Sequence, residues 1–293
     1  MKPTMFDLIA NGEYYAEIGT AVNERQPEPL SDALGAVCNE RFRRIDRFTQ
    51  LALLGSARCV RGITLAKRTG LYVSSGFGSI ANTINVQRQI FEDHRVPKPM
   101  NFINTLSNSA GYYVARNLGL SSRNLFVGRD AAPTEAVVRI ATADLAFGTV
   151  EQALVGIVDE ASWPLGDHAR RLAAAPDEPL AEGSHWLLLQ SHSGVTDGTQ
   201  IIDLLTLTDP NKLRGWFDQT DYSPDAKIYI APDADSTLTA ACPQLEPFTP
   251  SLGTYMARTA GAVIRFLNKA DSGELITVAG GIDQIHVMHF ARR

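Results

Sequence analysis

Residues 142–160 read TADLAFGTVEQALVGIVDE, and the fold class is decided there. The first half continues an Ala- and Val-rich helical segment, 134–147, closed at Gly148 as helices often are. The second half, ALVGIV at 153–158, is apolar without alternation, the mark of a strand covered on both faces. Upstream, LYVSS at 71–75 repeats that strand pattern and stops at glycines, and residues 125–128 form another short candidate. Helices are predicted over 80–91 and 108–117. Downstream, 184–190, 200–207 and 227–231 read as strands, and 254–267 as a buried helix. Residues 275–280 and 285–290 read as a terminal hairpin. Strands alternating with helices predict an α/β sheet protein in two successive halves, 1–163 and 164–293, the second shortened.

The outer parts are less regular. Residues 1–30 are mixed and stay unassigned, residues 31–61 carry apolar positions at helical spacing, and 170–182 read as a surface loop with a short helix. With 293 residues, 44% hydrophobic and 20% charged, the chain can bury a large core without staples. A net charge of −5 argues against a nucleic-acid footprint. The one dense basic run, Arg41, Arg43, Arg44 and Arg47, fits a solvated helix face or a dock for an acidic partner. Cys38, Cys59 and Cys242 are odd in number and far apart, so neither a disulfide framework nor a zinc site is expected. No signal-peptide pattern or membrane-length apolar run is present, which makes a reducing cytoplasmic setting the default expectation.

Candidate chemistry is sparse. Gly76-Phe77-Gly78-Ser79-Ile80-Ala81 matches G-x-G-x-x-A after a strand, but no acidic residue follows at the end of a second strand. A tight strand-to-helix turn accounts for the glycines without a nucleotide, and no cofactor is expected. There is no G-x-S-x-G elbow and no HExxH. His286 and His289 are three apart in a strand and face opposite sides, which disfavours a shared metal. Asp159 and Glu160 end the 153–158 strand, where α/β proteins place functional groups; a structural role such as capping the following segment is expected, with acid–base work by the pair as the alternative.

Five segments, in order, resemble the β-ketoacyl synthase family of thiolase-like condensing enzymes. RIDRFTQLAL at 44–53 resembles the family's early helix, and TGLYVSSGFGS at 69–79 its strand and glycine-rich turn. PMNFINTLSNSAGYYVARNLGL at 99–120 resembles the block leading to the nucleophile strand. Residues 142–160 resemble the block ending in "ALVGGxDE", and EGSHWLLLQ at 182–190 resembles "EGAAxLVLE". The resemblance implies a thiolase-like fold: two duplicated α/β halves in an α-β-α-β-α stack, dimerising through the strand at 125–127. It also implies a Cys nucleophile, two His (or His and Asn), and backbone oxyanion donors.

Those catalytic residues are missing. The turn expected to hold the Cys reads VGRDAAPTEA over 127–136, with Ala131 at the nucleophile position. Tyr255 aligns with the first His, the segment carrying the second is absent between 268 and 274, and the final glycine-rich turn survives only as VAGGID at 278–283. Thr134, the nearby hydroxyl, is expected to cap its helix. The chain thus resembles a chain length factor, a non-catalytic subunit pairing with an active ketosynthase and meeting an acyl carrier protein through it. In that setting Asn108, Tyr112 and Tyr113 are candidates for the dimer face and acyl tunnel, with core packing as the alternative for the tyrosines. Two other functions fit the same residues: an acyl-thioester enzyme with a relocated site, and a homodimeric acyl-binding protein.

Overall fold

The computed structural model describes residues 5–192, 194, 198–269 and 272–293. The first half contains β1 (Phe6–Gly19), α1 (Ser31–Gly35), α2 (Arg47–Cys59), β2 (Thr69–Ser75), α3 (Ile80–Phe91) and α4 (Pro99–Ile103). It continues with α5 (Ser109–Leu118), β3 (Asn124–Gly128), α6 (Pro133–Ala146), β4 (Gln152–Asp159), α7 (Leu165–Arg171) and β5 (Leu180–Ser191). The second contains β6 (Thr199–Leu207), α8 (Pro210–Gln219), β7 (Lys227–Ile230), α9 (Ser236–Ala241), β8 (Glu246–Pro247), α10 (Arg258–Lys269), β9 (Gly273–Gly281) and β10 (Gln284–Arg292).

The strands run in the order β3-β2-β4-β5-β1-β6-β10-β9-β7-β8. Read outward from the centre, the halves are β1-β5-β4-β2-β3 and β6-β10-β9-β7-β8, so adding five to each label converts one into the other. Pairing types match as well: β4/β5 and β9/β10 are antiparallel, whereas β2/β4, β2/β3, β7/β9 and β7/β8 are parallel. The halves meet through three residue pairs, Phe6↔Ile201, Asp7↔Gln200 and Leu8↔Thr199. The duplication is thus explicit in the topology. β5 lies between β4 and β1 and so completes the first five-stranded group.

Alternate strand residues face different cores, which explains why the strands read as continuously apolar. Leu154 and Val158 of β4 pack outward with Leu51 and Leu54 of α2. Val155 and Ile157 face inward onto Val137 and Val138 of α6, in a central core shared with Val263 of α10 and with Leu275 and Phe290 of the second half. On the far side, Ile276 and Val278 pack under Leu213 and Phe217 of α8. Five layers result: outer helices, sheet, α6 with α10, sheet, outer helices.

Three expectations change. Residues 31–61 are not one helix: Arg44 takes a left-handed backbone (φ 59°), and Asp46 caps α2 by accepting from the Thr49 N–H at 3.0 Å. The unassigned N-terminus holds β1. Gly12 is there for a close approach, since a Cβ on it would sit 2.4 Å from the Cys59 backbone nitrogen. The stretch 170–182, expected as a loop with a short helix, contains the end of α7 and also the start of β5.

Candidate functional site

The glycine-rich turn between β2 and α3 is satisfied from within. Asp159 accepts from the Ser75 hydroxyl (2.8 Å) and the Gly76 N–H (3.1 Å), and Glu160 accepts from the Ala81 N–H (2.9 Å). The Gly78 and Ser79 N–H groups donate to the hydroxyls of Ser75 and Ser107. Carboxylates of this chain thus take amides that a pyrophosphate would otherwise use. The acidic pair does cap, but it caps this neighbouring turn, not the segment that follows it. Burial pushes Asp159 up to about 7, and burial with the Asp46 charge raises Glu160 well above the carboxylate range.

The quoted sequence blocks converge here. Arg47, from the early helix, holds the fully buried Glu182 of β5 through its Nε at 3.0 and 3.1 Å and through its Nη2. Asp46, beside it, takes the Ser79 hydroxyl. All five blocks therefore meet in one polar cluster, which ties α2, the glycine-rich turn, Ser107, β4 and β5 together.

Where β3 turns into α6, Ala131 is exposed and Ala132 is buried with a left-handed backbone (φ 49°). Neither can carry an acyl group. Thr134 does not cap α6, and its buried hydroxyl has no partner. Pro133 at the first helical position removes one N–H. The Glu135 carboxyl is fully buried and neither of its oxygens has a hydrogen-bond partner; burial pushes it up to about 7. Glu135 was missed from sequence, and its only signal is an acid in the first turn of a helix.

Tyr255 is also committed. Its hydroxyl lies 2.8 Å from His185 Nε2, and Glu13 Oε2 stands 3.2 Å from His185 Nδ1, with Arg265 Nε 3.3 Å from Glu13 Oε1. Burial lowers His185, outweighing the Glu13 charge, so the imidazole is neutral near pH 7. The Tyr255 ring occupies room left by two glycines: a Cβ on Gly183 would come 2.9 Å from its Cε2, and one on Gly261 2.2 Å from its hydroxyl.

No family model matches the sequence, and no curated protein matches it. Solved structures do. The ishigamide ketosynthase/chain length factor superposes with a TM-score of 0.73 at 16% identity, covering 98% of this chain and 99% of that one. A type II PKS acyl-carrier protein in complex with its ketosynthase bound to the hexaketide gives 0.69 at 12%, covering 99% and 100%. A beta-ketoacyl synthase from Burkholderia phymatum gives 0.65 at 13%, covering all of both chains. The fold is that of the ketosynthases.

On this ketosynthase fold the remaining candidates lie apart from the α6 turn. Asn108 is exposed just before α5. Tyr112 is 56% exposed, whereas Tyr113 is half-buried, edge-on to Phe42 with centroids 5.5 Å apart. The core alternative therefore describes Tyr113 and not Tyr112. Burial pushes the Cys59 thiol up to about 12 and Cys242 to about 11, and raises Cys38, so none is primed as a nucleophile at pH 7. His286 and His289 take separate partners, Thr206 and Glu274, on opposite faces of β10. Among the described residues, no cluster of three potential metal ligands occurs, and no helix is long and apolar enough to cross a membrane.

Proposed function

We propose that this chain is a non-catalytic, chain-length-factor-type subunit that pairs with an active ketosynthase and meets the acyl carrier protein through it. The observation that carries this reading is the α6 turn. Where a ketosynthase fold opens its nucleophile helix, Ala131 and Ala132 stand, the Tyr255 hydroxyl is tied to His185, and no thiol is primed. Two surface features support a partner. β3 ends the sheet order with one edge open, and Val96, Phe102 and Leu106 are 94%, 60% and 53% exposed around α4.

The test is co-expression with an active ketosynthase and its carrier protein. A stable one-to-one complex is expected, with acyl mass appearing on the ketosynthase alone by intact mass spectrometry. A chain that stays alone, or that itself becomes acylated, overturns the reading.

One observation favours a second reading, an acyl-thioester enzyme with a relocated site. Asp159 and Glu135, each held at about 7, lie in the range suited to proton transfer. Turnover of an acyl thioester that is abolished by Asp159→Asn or Glu135→Gln would establish it.

A further inference from the structure

Between α1 and α2 the chain runs as a strap over residues 36–46, fastened at three places. Asn39 donates twice to Asn117 near the end of α5 (2.8 and 2.6 Å), Glu40 pairs with Arg116, and the Arg44 carbonyl accepts from Asn104 Nδ2 at 3.0 Å. The strap and α1 line a cavity of about 790 Å³, a size within the ~300–1,000 Å³ of small-molecule sites. Its apolar wall is Leu30, Leu34, Phe42 and Ile45, all packed with the outer core around α2. Arg41 and Arg44 line the same cavity. Among the described residues neither guanidinium has an ion pair or a hydrogen bond. Two carboxylates also line it: Glu40, which Arg116 neutralises, and Asp32, which accepts from the Ser31 hydroxyl. Two uncommitted guanidiniums against one free carboxylate leave the cavity positive. Arg44 reaches it from a left-handed backbone (φ 59°), uncommon for any residue but glycine. The basic run is therefore not a solvated helix face. Arg47 is committed to Glu182, and Arg41 and Arg44 share a cavity with an apolar wall.

We propose that this cavity binds a free fatty acid, with the carboxylate on Arg41 and Arg44 and the chain along Leu30, Leu34, Phe42 and Ile45. Guanidinium forks match a carboxylate in two parallel hydrogen bonds, and the apolar wall takes the methylenes out of water. Asp32 at the same cavity repels a second negative charge, so a monoanionic carboxylate fits better than a dianionic phosphate ester. The cavity shares no residue with the α6 turn, and the inference does not rest on the partner-subunit reading.

The test uses this chain with dodecanoate, dodecanol and dodecyl phosphate, each below its micelle-forming concentration, followed by titration calorimetry. Position is read from thiol labelling, because the partly exposed Cys38 lines the cavity and the partly exposed Cys242 does not. One dodecanoate per chain is expected, slowing the labelling of Cys38 and leaving that of Cys242 unchanged, as measured by peptide mass. Dodecanol and dodecyl phosphate should bind more weakly, dodecanol by roughly tenfold or more for want of the charged hydrogen bonds. Arg41→Gln/Arg44→Gln should bind dodecanoate no better than dodecanol. Leu34→Trp, which fills the cavity and keeps both arginines, should abolish binding of all three while the circular dichroism stays that of wild type. Dodecanoate that fails to bind, that binds the arginine variant as tightly as wild type, or that leaves Cys38 equally reactive overturns the inference. Tighter binding of dodecyl phosphate overturns the assignment of a carboxylate head.

Discussion

Tyr255 donates toward His185 across 70 residues of sequence, hydroxyl to Nε2 at 2.8 Å, with both side chains buried. The bond closes the space that Gly183 and Gly261 leave open. Removing the hydroxyl in Tyr255→Phe leaves a buried imidazole nitrogen without a partner and should cost ~1–3 kcal/mol in urea unfolding. Gly261→Ala drives a methyl into that same hydroxyl and should cost about 1–3 kcal/mol by overpacking. The two effects should couple, with Gly261→Ala milder in the Tyr255→Phe background. Additive costs would show that the hydroxyl is not the obstacle.

Arg47 and Glu182 give the larger effect. Glu182 is fully buried, with the acidic Glu160 nearby and Arg47 as its ion-pair partner. Arg47→Ala should cost roughly 3–5 kcal/mol, while Arg47→Met with Glu182→Leu should recover much of that loss, since replacing both members removes the unpaired charge. Chemical denaturation of the single and double variants separates the outcomes.

Much of this architecture is legible in the chain. β2 and β4 declare themselves because both faces are covered, and α3 and α6 end near predicted breaks. β1 is hidden because its sequence is mixed rather than continuously apolar, and its Gly12 serves the close approach of α2. The lost chemistry at Ala131 and Tyr255 is legible through the family's motifs. The replacement contacts are not: Glu13, His185 and Tyr255 come from three distant elements, and nothing local marks a buried Glu or His as a partner for a displaced tyrosine.

Glu135 makes stability depend on pH in a defined direction. Its folded pKa is raised, to about 7 from 4.5, so the native state holds its proton where the unfolded chain has released it. Stability from this group is therefore full below about pH 4.5 and lost as pH rises to 7, by roughly 3 kcal/mol. Buried histidines such as His168, lowered to about 4, act in the opposite sense as pH falls from 6.5. The difference between wild type and Glu135→Gln isolates the carboxyl: the variant should gain on wild type between pH 5 and 8. An unchanged difference across that range would mean that Glu135 ionises as freely in the fold as in the unfolded chain.

Tyr112 and Tyr113 separate a packing role from an assembly role, because adjacent helix positions point in different directions. Tyr113 sits half-buried against Phe42, so Tyr113→Ala should cost ~1–2 kcal/mol in the isolated chain. Tyr112 touches little beyond Tyr113 and Arg116, and Tyr112→Ala should stay within ~0.5 kcal/mol of wild type. If Tyr112 meets the partner's acyl chain, its removal should lengthen the product of the assembled pair while leaving the melting temperature of the isolated subunit unchanged. Product mass distribution and thermal unfolding are measured on the same preparations. A change in stability without a change in product would assign Tyr112 to packing alone.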